Sequence, residues 1–160
     1  MAMVDEIDRK ILDLLQSNAK LSNAELAESV GLTMSSVHER VKKLERKGVI
    51  KGYVAVVDAE KIGKPLLAFT RLTVNNHEGP LVSVRELCEK EPDILECHNV
   101  AGEDCYIIKL RAAGPKELER LLVAIKGSAE SGRSVTNIVL SSVKESHKVN
   151  PAPEEQGEQV

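Results

Sequence analysis

Aromatic side chains are almost missing from this chain: tryptophan is absent, and Tyr53, Phe69 and Tyr106 are the whole complement in 160 residues. Proteins that grip single-stranded nucleic acid stack its bases on aromatic rings, so that partner is disfavoured, and with it an RNA-recognition module on a sheet face. Any core must be aliphatic. Cysteine is scarce and odd in number: Cys88, Cys97 and Cys105 make no C-x-x-C pair, which argues against a disulfide framework or a zinc site. No metal or other cofactor is expected. No apolar run approaches the roughly 18 residues of a membrane span, and the opening MAMVDEIDRK lacks the apolar stretch of a secretory signal. The expectation is a soluble, cytoplasmic protein.

What is present is unevenly placed. The formal net charge is -3, which alone does not suggest a nucleic-acid partner. Between His38 and Lys51, however, six basic residues face two acids, so this segment carries +4 and the remainder -7.

That basic text belongs to LTMSSVHERVKKLERK, Leu32 to Lys47, in which Val37, Val41 and Leu44 recur at i, i+4 and i+7. At about 3.6 residues per turn they form one buried seam. Ser35, Glu39, Lys42, Lys43 and Arg46 point away from it, and Ser36, His38, Arg40 and Lys47 flank it. An outer face that is hydroxylic first and basic later suits a helix entering the DNA major groove, where early turns meet base edges and later ones meet phosphates. A charged outer face alone means no more than solvation. The preceding NAELAESVGLTMSSV adds Ala27, Gly31 and Val37: a small residue for close helix approach, a glycine for a left-handed helix end and an anchor into the shared core. Together they predict a helix-turn-helix. Arg40 lies near the seam, where it can meet either a phosphate or an acid of the first two helices.

In chain order, Asp5 to Gln16 reads as a first helix with Asp5 at its N-terminus. Ser22 and Glu25 form a capping box for a second helix from Asn23 to Gly31, and Thr33 caps the third, which Gly48 stops. Residues 1–52 therefore form a helix-turn-helix domain. Tyr53 to Asp58 alternates with β-branched residues and reads as an extended strand, a wing or tether, within a linker at 53–65 that includes a short helical turn at Ala59 to Ile62. From Leu66 the order is strand (Leu67–Val74), helix (Pro80–Lys90), strand (Ile94–Val100), strand (Cys105–Ala112), helix (Pro115–Lys126) and strand (Val135–Val143). That βαββαβ order predicts a ferredoxin-like domain at 66–147 with both helices on one sheet face. The strands carry apolar residues on both faces, so the second face calls for another copy of the chain. Residues 148–160, rich in Pro, Gly and Glu, read as a disordered tail.

The text DEIDRKILDLLQSNAKLSNAELAESVGLTMSSVHERVKKLERKGVIKGYVAVVD, followed by NVAGEDCYIIKL and TNIVLSSVKES, resembles the Lrp/AsnC, or feast/famine, transcription regulators over Val4 to His147. The resemblance implies an α+β chain with an N-terminal winged helix-turn-helix and a C-terminal effector domain. It also implies a homodimer that assembles into tetramers, octamers or larger rings, with amino acids or similar molecules bound between dimers. The family's loop after the second effector strand reads Gly, an acid, an aromatic, Asp, Tyr. Here Gly102, Glu103, Asp104, Cys105 and Tyr106 stand there, so Asp104 and Cys105 depart from the pattern. The implied effector residues are Gly102, Asp104, Cys105, Ser134 and Thr136.

The leading expectation is a sequence-specific regulator of double-stranded DNA, read by Ser35, Ser36, His38, Glu39, Arg40, Lys42, Lys43 and Arg46, and answering to an amino acid. Two alternatives stand beside it: an enzyme subunit resembling siroheme decarboxylase, and an effector-independent architectural DNA-binding protein. The basic helix disfavours the enzyme, which has no use for it.

Overall fold

The computed structural model describes residues 4–74, 80–128 and 132–151. The chain divides into two compact units, one made of the N-terminal residues through Ala55 together with those from Lys144 onward, the other of Val56–Val143.

The first unit holds α1 (Glu6–Ser17), α2 (Asn23–Val30) and α3 (Met34–Arg46). Asp5 caps α1 by accepting the Asp8 amide at 2.8 Å. Ser22 and Glu25 close the reciprocal box on α2: the Ser22 amide donates to the Glu25 carboxylate at 2.7 Å while the Ser22 hydroxyl accepts the Glu25 amide. Gly31 ends α2 with φ 70°, a left-handed conformation in which a Cβ is strained. Ile11, Leu12, Leu15, Leu26, Ala27, Val37 and Leu44 form an all-aliphatic core.

The stretch expected as an extended strand at 53–58 pairs with no other strand among the described residues. Lys51 to Asp58 carries no strand pairing, and Val54, Val56 and Val57 are exposed, because β-branched residues make a strand only when a ladder partner is in reach. The turn after it does form: Lys64 and Gly63 donate back to Ala59 and Glu60, with the Asp58 carboxylate accepting from the Glu60 amide. The tail also differs from expectation. Gln16 donates to the Val149 carbonyl at 2.9 Å and accepts its amide at 2.8 Å, while Lys148 Nζ lies 2.6 Å from Asp13. Lys148, through its ammonium group, and Val149, through its main chain, are therefore held on α1 by contacts that composition does not reveal, and 144–147 cluster with the first unit. Residues 152–160 of that expected tail lie outside the described residues.

In the second unit, β1 (Leu66–Thr73), α4 (Pro80–Lys90), β2 (Ile94–Asn99), β3 (Tyr106–Ala112), α5 (Pro115–Ser128) and β4 (Arg133–Ile138) follow the βαββαβ order. The sheet is antiparallel in the order β2-β3-β1-β4. Ala68, Leu72, Tyr106, Ile108, Leu110 and Ala112 share one face and pack with Val84, Leu118, Leu121 and Ile125 of the two helices. Phe69, Arg71, Ile107, Lys109 and Val135 alternate onto the other face. β4 ends five residues earlier than expected. β2 is also irregular, with a bulge at Leu95 between the Ile94 and Glu96 pairings, which turns every later side chain of that strand to the opposite face.

Candidate nucleic-acid interface and effector site

The outer face of α3 begins at its cap. The Thr33 hydroxyl accepts the Ser36 amide at 3.2 Å, lies 2.8 Å from the Ser36 hydroxyl and 3.1 Å from that of Ser35, so one side chain orients both serines. Sequence reading gave Thr33 a capping role alone; its second role follows from the same i, i+2 and i+3 spacing. His38 Nδ1 and the Asn23 amide nitrogen are in hydrogen-bond contact at 3.2 Å, tying the flank of α3 to the start of α2. Ser35, Ser36, His38, Glu39, Lys42, Lys43 and Arg46 are all exposed. Lys42 lies 3.1 Å from Glu45, which also accepts from the Tyr53 hydroxyl at 3.1 Å. Those two donors hold the Glu45 carboxyl below its usual range. Lys43 and Arg46 have no ion pair among the described residues, and both are exposed in the later turns of α3.

Arg40 leaves this set. Its guanidinium binds Asp5 and Asp8, the second at 2.7 Å, and Asp8 is 1% exposed. The position one turn from Val37 and Leu44 aims it at α1 rather than at solvent, so its charge is spent on holding α3 in place. Burial opposes ionisation of Asp5, but the Asp8 amide and the Arg40 guanidinium outweigh it and hold that carboxyl below the usual range.

The five effector residues do not converge within one chain. Gly102 takes φ 148° in an exposed turn. Asp104 lies 3.5 Å from the Arg71 guanidinium and 3.5 Å from the Thr73 hydroxyl, both on the helix-free face of β1. Ser134 and Thr136 pair with Leu72 and Thr70, which face the helices, and the Thr136 hydroxyl is 3.0 Å from the buried Thr70 hydroxyl. Cys105 is half-buried against the core, its amide donating to the Leu72 carbonyl at 2.8 Å. The polar inventory is thus split over two faces of the sheet. Beside the loop, the buried Tyr106 hydroxyl has no hydrogen-bond partner among the described residues. Its strand position was legible as apolar; the orphaned oxygen was not.

Residues 4–51 match the winged helix-turn-helix DNA-binding family and residues 67–149 the Lrp/AsnC ligand binding domain. The chain is similar to an HTH-type transcriptional regulator (FL11) of Pyrococcus horikoshii, at 34% identity over 142 residues covering 89% of this chain and 93% of that one. It is 34% identical over 151 residues to the leucine-responsive regulatory protein of Escherichia coli, covering 91% and 90%. A solved feast or famine regulatory protein of M. tuberculosis, complexed with L-methionine, superposes with a TM-score of 0.84 at 30% identity, covering 93% of this chain and all of that one.

Proposed function

We propose, proceeding from the fact that this chain belongs to the Lrp/AsnC family of transcriptional regulators, that α3 reads DNA through Ser35, Ser36, His38 and Glu39 and grips phosphate through Lys42, Lys43 and Arg46. The observation that carries this assignment is the order of that exposed face: a Thr33-organised hydroxyl cluster at the N-terminal end, then Lys43 and Arg46 about two and three turns later. Binding measured against salt tests it. Lys43→Ala is expected to weaken all sequences alike and lower the salt slope by about 1, while Ser36→Ala shifts preference at one base position by about 1–3 kcal/mol. An altered preference with an unchanged slope in Lys43→Ala would reverse the two roles.

The effector is proposed to be an α-amino acid, supported by the methionine complex of the mycobacterial relative. Asp104 supplies a carboxylate for an ammonium group, and Ser134 a hydroxyl for a carboxylate. Because these lie on different faces of one sheet, a complete site needs residues of more than one copy, in keeping with a homodimer assembled into tetramers or octamers. The mixed face of Phe69, Ile107 and Val135 supports the dimer contact. A second reading, an architectural protein without an effector, is favoured by the engagement of Asp104 with Arg71 and of Thr136 with Thr70. The chain acts as a regulator and not as an enzyme, and works in the cytoplasm; the exposed basic helix and the names of its relatives support this, and no helix among the described residues is long and apolar enough to cross a membrane.

A further inference from the structure

Two of the three thiols lie on a helix and a strand that pack together in the second unit. Cys88 lies near the end of α4 and Cys97 in the edge strand β2; both are half-buried and pack on the same aliphatic core. Regular alternation from the buried Ile94 would turn Cys97 to the face away from the helices. The bulge at Leu95 resets that alternation, so that Cys97 pairs with Ile108, whose side chain is buried beneath the helix layer, and His98 faces outward. There Cys97 is turned into the layer that holds α4, the helix that carries Cys88 and packs against β2, and both thiols rest on the same core. A helix thiol and a strand thiol turned into one layer can be joined by an S–S bond of roughly 2 Å if the Cα atoms lie within about 7 Å.

We propose that Cys88 and Cys97 are a redox-responsive dithiol that a peroxide converts to an intrachain disulfide linking α4 to β2. Cys97, on the outer strand of the sheet, is the sulfur that reacts first. Its thiolate attacks one peroxide oxygen, the O–O bond breaks, and the departing hydroxide takes the former thiol proton to leave as water, which gives a sulfenic acid. Cys88 is the resolving thiol: desolvation, then the neighbouring Cys97 sulfur and the Glu89 charge, push it up to about 12 and keep it protonated until it reacts. Its sulfur attacks the sulfenic sulfur, the S–O bond breaks, and the released hydroxide carries off the Cys88 proton as a second water. Two thiols are oxidised to one disulfide and one hydrogen peroxide is reduced to two waters. The bond staples a helix to an edge strand that is otherwise held on one side alone, so oxidation stiffens the ligand-binding unit and a dithiol reductant releases it.

The experiment treats the reduced full-length chain with hydrogen peroxide, blocks the remaining thiols and maps its peptides without reduction. The expected result is a peptide pair joined through Cys88 and Cys97 within one chain, reversed by dithiothreitol, retained in Cys105→Ser and lost in Cys97→Ser. Cys88→Ser, a near-isosteric change whose folding is checked by its unfolding midpoint, is expected to stop at a Cys97 sulfenic acid that a dimedone probe captures. Thiols that both remain free for alkylation, a cross-link through Cys105, a link between chains, or a sulfenic acid on Cys88 in the Cys97→Ser variant with none on Cys97 in the Cys88→Ser variant would each overturn the assignment.

Discussion

Arg40 shows how one side chain on a recognition helix can serve the fold instead of the ligand. Its two acidic partners come from α1, and Asp8 is almost fully buried, so removing the guanidinium strands a carboxylate in a low-dielectric site. Arg40→Ala is expected to destabilise the protein by about 2–3 kcal/mol in urea unfolding, at the lower end for a buried pair because Arg40 and Asp5 keep solvent contact. Unchanged stability with weakened DNA binding would return Arg40 to the phosphate contacts. The sign of its pH dependence follows from Asp5, whose carboxyl is held low when folded. That contribution is fully present above the ordinary carboxylate value of about 4 and fades as pH falls through the lower folded value, so wild type and variant should converge in acid. Tyr106 makes the opposite case. A buried hydroxyl with no partner costs free energy, so Tyr106→Phe is expected to be neutral or stabilising by up to about 1 kcal/mol in the same assay. A loss beyond that would mean that the hydroxyl is satisfied in solution.

At the level of elements, start signals were the most legible part of the chain. Asp5, Ser22 and Thr33 cap α1, α2 and α3 through short-range hydrogen bonds that sequence spacing specifies. Strand irregularities were not legible, because a bulge or an early strand end is decided by the neighbouring strand. Gly132, just before β4, illustrates this: a Cβ there would stand 1.9 Å from the Thr73 carbonyl oxygen. No local pattern marks that glycine as needed. Since backbone cannot yield as a side-chain end does, Gly132→Ala is expected to cost roughly 1–3 kcal/mol and loosen β4 against β1, seen as lost amide protection at Val135 and Asn137, whose amides alternate in register with the Val139 amide that donates to Leu67. Native-like stability would show that the strand start can shift without cost.

For the whole molecule, two units joined in one chain place a DNA reader and a ligand-binding sheet under common control, and a ligand can shift assembly only by binding one oligomer more tightly than another. An amino acid is therefore expected to change the sedimentation profile of the wild-type protein, and Asp104→Ala to abolish that change while DNA binding persists. Titration of the twenty amino acids checks it; a uniformly unchanged profile would favour the architectural reading.

The amino-acid sequence by itself determined the helix-turn-helix, its aliphatic core and the βαββαβ order, because caps, 3.6-residue periodicity and turn residues act over a few positions. The family was legible as a resemblance as well, carried by the text of the first domain together with NVAGEDCYIIKL and TNIVLSSVKES of the second. Tertiary structure decided the rest. It committed Arg40 to α1, turned Cys97 round a bulge toward the helix layer, left 51–58 unpaired, and put Asp104 and Thr136 on opposite faces of one sheet. Each of those outcomes depends on which distant residue lies across the contact, and spacing along the chain does not carry that information.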